Sequence, residues 1–393
     1  MRIAYIAPYQ GPALVKRRPI VRNLSLAARV KIELIAELLQ RSSHSVEILS
    51  QGEVIDHQFN FYPGYCEPDR FHPAIPIHYA SALPVRFVNG AWSSLRMLRL
   101  FRRLHRSKPF DLVVIYDLKL PQVTCANYAM RSLGLPVILE YEDDAFTDRW
   151  GKGDTSFSAG WQLTAARKLL SSVSAGFGCS PFLMAQMPAS TPTLVLRGVV
   201  SNHIANLNGR ARSSRKNWVV FSGTLEGSQG EKQMLRAWQT LELPDWELHI
   251  AGQGPIKQEL EQMAGGNRRI VFHGLLNKEE NANLLCMAKI GMNPQDVSVI
   301  PGNTFPFKII EYLAAGIHVI STPRGALEPE LDAGVSYITD NSPEMIAASL
   351  KRVIDERVYE CIADQAALKT YGPIAVTESL NKLIGQVMAG ATM

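Results

Sequence analysis

Short apolar runs alternate with helix-period segments along almost the whole chain, and that alternation admits few folds. In the first half, residues 2–7, 45–49, 112–116, 137–140, 176–179 and 194–196 read as strands, and 27–40, 93–106, 122–132 and 160–171 as helices. The second half repeats the plan, with strands at 218–221, 246–251, 269–273, 290–293, 318–321 and 336–338 and helices at 232–239, 256–263, 280–287, 307–315 and 343–355. Short apolar strands bounded by turns suit parallel sheets covered on both faces. Their alternation with helices marks βαβ units. A length of 393 residues suits two α/β domains of ordinary size. Apolar content falls over 200–215, where Asn, Ser, Gly and Arg accumulate. The expected division is therefore 1–200, 201–370 and a final helical segment, 371–393. The proline-rich stretch 52–84 reads as a long loop or insertion.

No run approaches the roughly 18 apolar residues of a membrane-spanning helix, and the first apolar run is too short for a signal peptide. Five scattered cysteines include no Cys-x-x-Cys pair, so neither a disulfide framework nor a zinc site is suggested. A cytoplasmic setting is expected. The net charge of +5 is unevenly spread: 70–110 holds no Asp or Glu but carries Arg70, Arg86, Arg96, Arg99, Arg102, Arg103, Arg106 and Lys108. Such an excess favours an anionic partner. The helix 93–106 sets an apolar stripe of Leu95, Leu98, Phe101 and Leu104 against its arginines. It suits either peripheral docking on an anionic membrane surface or packing on the sheet with the arginines in water. No aromatic interleaving points to nucleic acid.

The strongest local signal is the segment from Pro301 to Gly316. Pro306 suits the first turn of a helix, Thr304 its N-cap, and Gly316 a left-handed end. The helix start then emerges at the carboxyl edge of a parallel sheet, where doubly wound folds bind ligands and free N–H groups favour phosphate. Lys308 and Glu311 lie three apart, on one helix face. A lysine can reach a diphosphate and a carboxylate can accept both hydroxyls of a ribose; a charged pair on a solvated face fits the same spacing.

The run Pro306-x-Lys308-x-x-Glu311-Tyr312-Leu313-Ala314-Ala315-Gly316-x-x-Val319-Ile320 resembles the donor-site helix of GT-B glycosyltransferases, above all the retaining family four of bacterial surface-polysaccharide assembly. Leu248-His249-Ile250-Ala251-Gly252-x-Gly254-Pro255 resembles that family's second strand and glycine turn, and Ile270-Val271-Phe272-His273-Gly274-Leu275 its third strand. Phe221-Ser222-Gly223-Thr224-Leu225, with Gly230 after it, resembles its first phosphate loop. The resemblance implies an α/β fold of two Rossmann-like domains facing a cleft (GT-B), the last helix crossing back to the first domain. It implies transfer from a nucleotide diphosphate sugar to a hydroxyl of a glycan or lipid-linked acceptor, with retention and no metal or other cofactor.

By the same resemblance Glu311 binds the ribose, and Gly223, Thr224, Lys232, Gly254, Asn303, Thr304, Phe305, Phe307 and Lys308 line the donor. Three positions depart from the family: Asn303 replaces a glutamate, Thr224 an arginine and Gln229 a lysine. Lys232 or Lys308 could supply the missing charge. A non-catalytic sugar-nucleotide or glycan-binding protein, or a sugar-nucleotide epimerase, would share the scaffold. A Gly-x-Gly-x-x-Gly after the first strand is absent, against a nicotinamide dehydrogenase.

In the first half, Tyr9 and Gly11 follow the first strand, and a basic stretch of Lys16, Arg17, Arg18 and Arg22 could add phosphate contacts or form an ordinary solvated loop. Glu140, Tyr141, Glu142, Asp143 and Asp144 end a strand in four acids and a tyrosine. Asp143 matches the family's aspartate and Glu142 its histidine place. A carboxylate here could take the proton of an acceptor hydroxyl; hard oxygen ligands for a metal and helix capping are the competing uses. Asp143, Glu142 and Lys308 are thus the expected catalytic groups, and Tyr9, Gly11, Asp143 and Asp144 the expected acceptor contacts.

Overall fold

The computed structural model describes residues 1–18, 26–54, 60–67, 74–85, 89–146, 157–207, 215–296, 305–323 and 327–391. Its contacts divide the chain into two units, Met1–Leu196 with Thr377–Met393, and Arg197–Val376.

The first unit runs β1 (Arg2–Ile6), α1 (Pro12–Arg17), α2 (Leu26–Arg41), β2 (Ser45–Ser50), β3 (Tyr65–Glu67), β4 (Ile77–Tyr79), α3 (Asn89–Ser107), β5 (Leu112–Tyr116), α4 (Leu120–Leu133), β6 (Val137–Tyr141), α5 (Phe157–Leu170), β7 (Ala175–Gly178), α6 (Pro181–Met184) and β8 (Thr193–Val195). The strands form one sheet in the order β3-β4-β2-β1-β5-β6-β7-β8, parallel throughout except for β3 against β4. The chain reverses direction across the sheet between β1 and β5, so the loops after those strands stand at a topological switch point, where such folds hold ligands. β1, β5 and β6 are buried along their whole length, as a sheet covered on both faces requires.

The second unit runs α7 (Asn202–Leu207), β9 (Trp218–Ser222), α8 (Glu231–Gln239), β10 (Glu247–Ala251), α9 (Lys257–Ala264), β11 (Ile270–Gly274), α10 (Lys278–Met287), β12 (Ile290–Asn293), α11 (Phe307–Ala314), β13 (His318–Ser321), α12 (Pro329–Asp332), β14 (Val335–Tyr337), α13 (Pro343–Asp355), α14 (Asp364–Tyr371) and the start of α15 (Pro373–Ala391). Its all-parallel sheet has the order β11-β10-β9-β12-β13-β14, with the switch point between β9 and β12. On one face Phe221, Leu248, Ile250 and Ile320 close over Trp238, Leu260 and Leu350. α11 packs on β12 and β13 and against α7 and α14.

Three expectations need correction. The stretch 52–84 is not simply a loop: β3 and β4 lie in it and add two strands to the sheet edge. The basic stretch after β1 is in part the helix α1. Within it Arg18 is an interior residue, 1% exposed, donating to the carbonyls of Gly52 and Ala80, so it is not a phosphate contact; Arg22 lies outside the described residues. In α3 the buried line is Met97, Leu100 and Phe101, while Leu95 is 44% exposed. The helix turns its sheet-facing side about Phe101 and leaves Leu95, Arg99, Arg103 and Arg106 outward.

Candidate functional site

In the second unit the loop between β9 and α8 is built on close approaches. A side chain on Gly252 would stand 1.9 Å from the Gly223 carbonyl, one on Gly254 2.1 Å from the Leu225 carbonyl, and one on Gly230, at φ +79°, 1.9 Å from the Pro294 carbonyl. Several amides of the loop are already engaged. Gly223 N–H donates to Ala251 O at 3.0 Å and Leu225 N–H to Gln253 O at 3.0 Å. The buried Glu231 carboxylate accepts from Glu226 and Gly227 N–H at 2.8 and 3.2 Å. Glu231 thus holds the loop's shape, a role the sequence did not suggest. Thr224 stands half-buried in it.

Lys308 enters from α11. Its ammonium lies over the Phe221 ring, 4.2 Å from the centroid, and donates to Gln229 Oε1 at 3.1 Å. A Cβ on Gly223 would fall 2.9 Å from Lys308 Nζ, so a larger residue there would push the ammonium aside. Burial pulls the amine down to about 8, opposed by Glu231, Glu226 and Glu311. One turn on, Glu311 is pushed up to about 7 by burial, opposed by Lys308. Among the described residues the Glu311 carboxylate has no hydrogen-bond or ion-pair partner. A sunken carboxylate without one is costly unless a ligand supplies donors.

Of the other expected donor residues, Lys232 is tied to Glu259 at 2.7 Å. Phe305 is buried with Arg197 over its ring at 5.2 Å, and the Phe307 ring fills the space that Gly198 leaves by lacking a side chain. These phenylalanines are packing residues by their side chains. Pro306 is the N-cap of α11, one position before the expected first turn; Gly316 is left-handed at φ +73° as expected. Asn303 and Thr304 lie outside the described residues.

In the first unit, buried charges gather at the carboxyl ends of β5 and β6. Lys31, on α2, pairs with Glu142 and lies 3.9 Å from Glu140, and donates to Leu196 O at 3.3 Å. Glu140 is fully buried and accepts from Tyr5 OH. Asp117, at φ +58°, accepts from Glu142 and Asp143 N–H at 2.8 and 3.1 Å and so fixes the turn after β6. Burial raises the Asp117, Glu140 and Glu142 carboxyls to about 7, against the pull of Lys31 on the two glutamates. Lys31 and Asp117 were not singled out in the sequence, and Glu140 only as one of four acids at that strand end. The available signals were Lys31 inside an apolar helical run and Glu140 inside an apolar strand.

This geometry separates the three acids. Glu142 is committed to Lys31. Asp144 is buried and accepts from Phe146 N–H at 3.0 Å and Tyr141 OH at 3.3 Å, a local loop role. Asp143 is the exposed member. Among the described residues no three His, Cys, Asp or Glu side chains converge as metal ligands. Tyr9 is fully buried, its hydroxyl donating to Glu33 at 2.8 Å, so its side chain is not an acceptor contact. Gly11 donates its N–H to Tyr79 OH at 3.1 Å, and a Cβ there would meet the Tyr9 ring at 2.9 Å.

Residues 216–356 match the family described as Glycosyl transferases group 1, and residues 27–193 the family described as Glycosyl transferase 4-like domain. The chain belongs to the GT-B, family-four-like glycosyltransferases. A segment of 111 residues of this glycosyltransferase is 32% identical to the GDP-mannose-dependent alpha-(1-6)-phosphatidylinositol dimannoside mannosyltransferase of Mycobacterium tuberculosis, spanning 28% of each chain. Its fold matches sucrose-phosphate synthase from Thermosynechococcus elongatus at a TM-score of 0.68 and 13% identity, covering 99% of this chain and 100% of that one. It matches the Anabaena protein Alr3699/HepE in complex with UDP at a TM-score of 0.64 and 14% identity, covering 98% and 100%. At these identities the two structural likenesses speak to the fold of the glycosyltransferase. Among the described residues no helix is long and apolar enough to cross a membrane.

Proposed function

We propose that the glycosyltransferase moves a sugar from a nucleoside diphosphate sugar to a hydroxyl of a glycan or lipid-linked acceptor, with retention and without a metal at the chemical step. The observation that carries this reading is the pair on α11: a lysine ammonium with hydrogens to spare and, one turn away, an unpartnered half-buried carboxylate. Lys308 stabilises the departing diphosphate and Glu311 accepts the two ribose hydroxyls. The exposed Asp143 faces the acceptor hydroxyl, while Glu142 and Asp144 hold the turn that presents it. GDP-mannose and a lipid-linked acceptor are the first substrates to try, since the mycobacterial relative is named for them.

Glu311→Ala should weaken binding of the preferred nucleotide by about tenfold or more, as expected for lost bonds to a charged group. Calorimetry checks this, after a thermal-shift screen of UDP-, GDP- and TDP-sugars identifies the base. Equal affinity in the variant would remove the ribose assignment. Following an isotope-labelled donor by NMR then separates the activities. Transfer with a retained anomeric configuration supports the proposal; binding alone or an epimer would replace it.

We further propose that α3 rests on an anionic membrane surface. Exposed Leu95, Arg99, Arg103 and Arg106 share its outer side, and exposed Phe61 meets Trp92 edge-on at 6.3 Å. Each arginine near such a surface contributes about 1 kcal/mol, so replacing Arg99, Arg103 and Arg106 by glutamine should lower partitioning onto phosphatidylglycerol vesicles by roughly 100-fold at low salt. No sedimentation of the unmodified protein with those vesicles would end the idea.

A further inference from the structure

Gln229 stands where family four places a phosphate-facing lysine, and the structure gives it a definite occupation. Its Oε1 accepts two bonds, from Gln295 Nε2 at 2.7 Å and from Lys308 Nζ at 3.1 Å. Gln295 is buried just after β12, and its carbonyl accepts from Thr322 Oγ1 at 2.9 Å, just after β13. Lys308 is therefore tied through the Gln229 side chain to Gln295, whose main chain is itself held by Thr322.

Three features make that tie more than packing. The ammonium's remaining contact is the face of Phe221, which holds a cation without fixing its direction. Among the described residues no carboxylate is in ion-pair contact with it; Glu231, Glu226 and Glu311 act on it only from a distance. Gly223, having no side chain, lies against the lysine tip without displacing it. A neutral amide oxygen is the partner such a cation needs. It accepts one of three ammonium hydrogens and leaves two, with the full charge, for a ligand. A carboxylate in its place would consume the charge, and a second lysine would repel it.

We propose that Gln229, braced by Gln295, is a positioning residue that aims Lys308 at the donor diphosphate, so that one cation from α11 replaces the two that the loop lacks. This rests on the donor reading above and adds to it how the charge is delivered.

The test compares a nucleoside diphosphate with the corresponding monophosphate, using the base found in the screen. In the unmodified protein the diphosphate should bind more tightly. Gln229→Leu should reduce that preference about tenfold, the scale of one bond to a charged group, while monophosphate affinity stays within twofold. Gln229→Glu keeps an acceptor but adds charge. It should also reduce the preference, and should move the alkaline loss of diphosphate binding to higher pH. Glu226, Glu231 and Glu311 are the other charged groups acting on Lys308 and are unchanged in both variants. A merely structural Gln229 would weaken both nucleotides alike and leave the alkaline limb in place. That result, or a preference unchanged in both variants while Lys308→Met abolishes it, overturns this proposal alone. Failure of the unmodified protein to bind any of the nucleotides overturns the donor reading with it.

Discussion

Lys308→Met is expected to lower kcat for glycosyl transfer by about 100- to 1,000-fold, the usual loss when one preorganised donor to a developing negative charge is removed. The size follows from scarcity. Lys232 is tied to Glu259, Thr224 brings no charge, and the amides of Gly223, Leu225, Glu226 and Gly227 are taken within the protein. Methionine keeps the stem's volume, and thermal stability should hold or rise, because an ammonium held down by burial is lost. The unmodified enzyme carries its own control. An amine lowered to about 8 is charged below that pH and neutral above it, so activity should decline as pH passes about 8. Steady-state rates of the two proteins from pH 6 to 9.5 check both statements. A loss below about fivefold would take the diphosphate away from Lys308.

Lys31→Met is expected to cost about 3–5 kcal/mol of stability at pH 8, because it leaves Glu142 and Glu140 as buried carboxylates without their cation. In a unit of this size the melting temperature should fall on the order of 10 °C. The sign of the pH effect is fixed by the direction of the shifts. Burial raises the Glu140 and Glu142 carboxyls from 4.5 to about 7. In that window the folded state binds more protons than the unfolded chain. Their contribution is therefore full below 4.5 and is lost as pH rises through about 7. Without Lys31 the carboxyls rise further, and the deficit should shrink at pH 5, where both take up protons. Melting curves at pH 5 and 8 decide: a deficit equal at both would mean that Lys31 acts by packing and not by charge.

Much of the scaffold was legible in the sequence because each βαβ unit announces itself locally. β5, β12, β13 and α13 fall at the expected residues, since apolar runs and turn residues mark both ends. β3 and β4 escaped because three residues are too few to show a period, and the prolines around them read as loop. The α3 stripe shares Phe101 with the buried face but was offset from it, because Ser93, Ser94 and Met97 face inward while Leu95 does not. At the site, Lys308 and Glu311 could be found because both lie on one helix. Lys31 and Asp117 could not be joined to Glu140 and Glu142, because they come from α2 and the turn after β5, and only the folded sheet brings them together.

The assignment of Thr377–Met393 to the first unit has a consequence for biogenesis. The second unit is an uninterrupted stretch of polypeptide, whereas the first is discontinuous. A ribosome can release the whole of the second unit while the first still lacks a helix, so assembly of the earlier-translated unit must finish last. Deleting residues 377–391 would then injure the unit that is translated first.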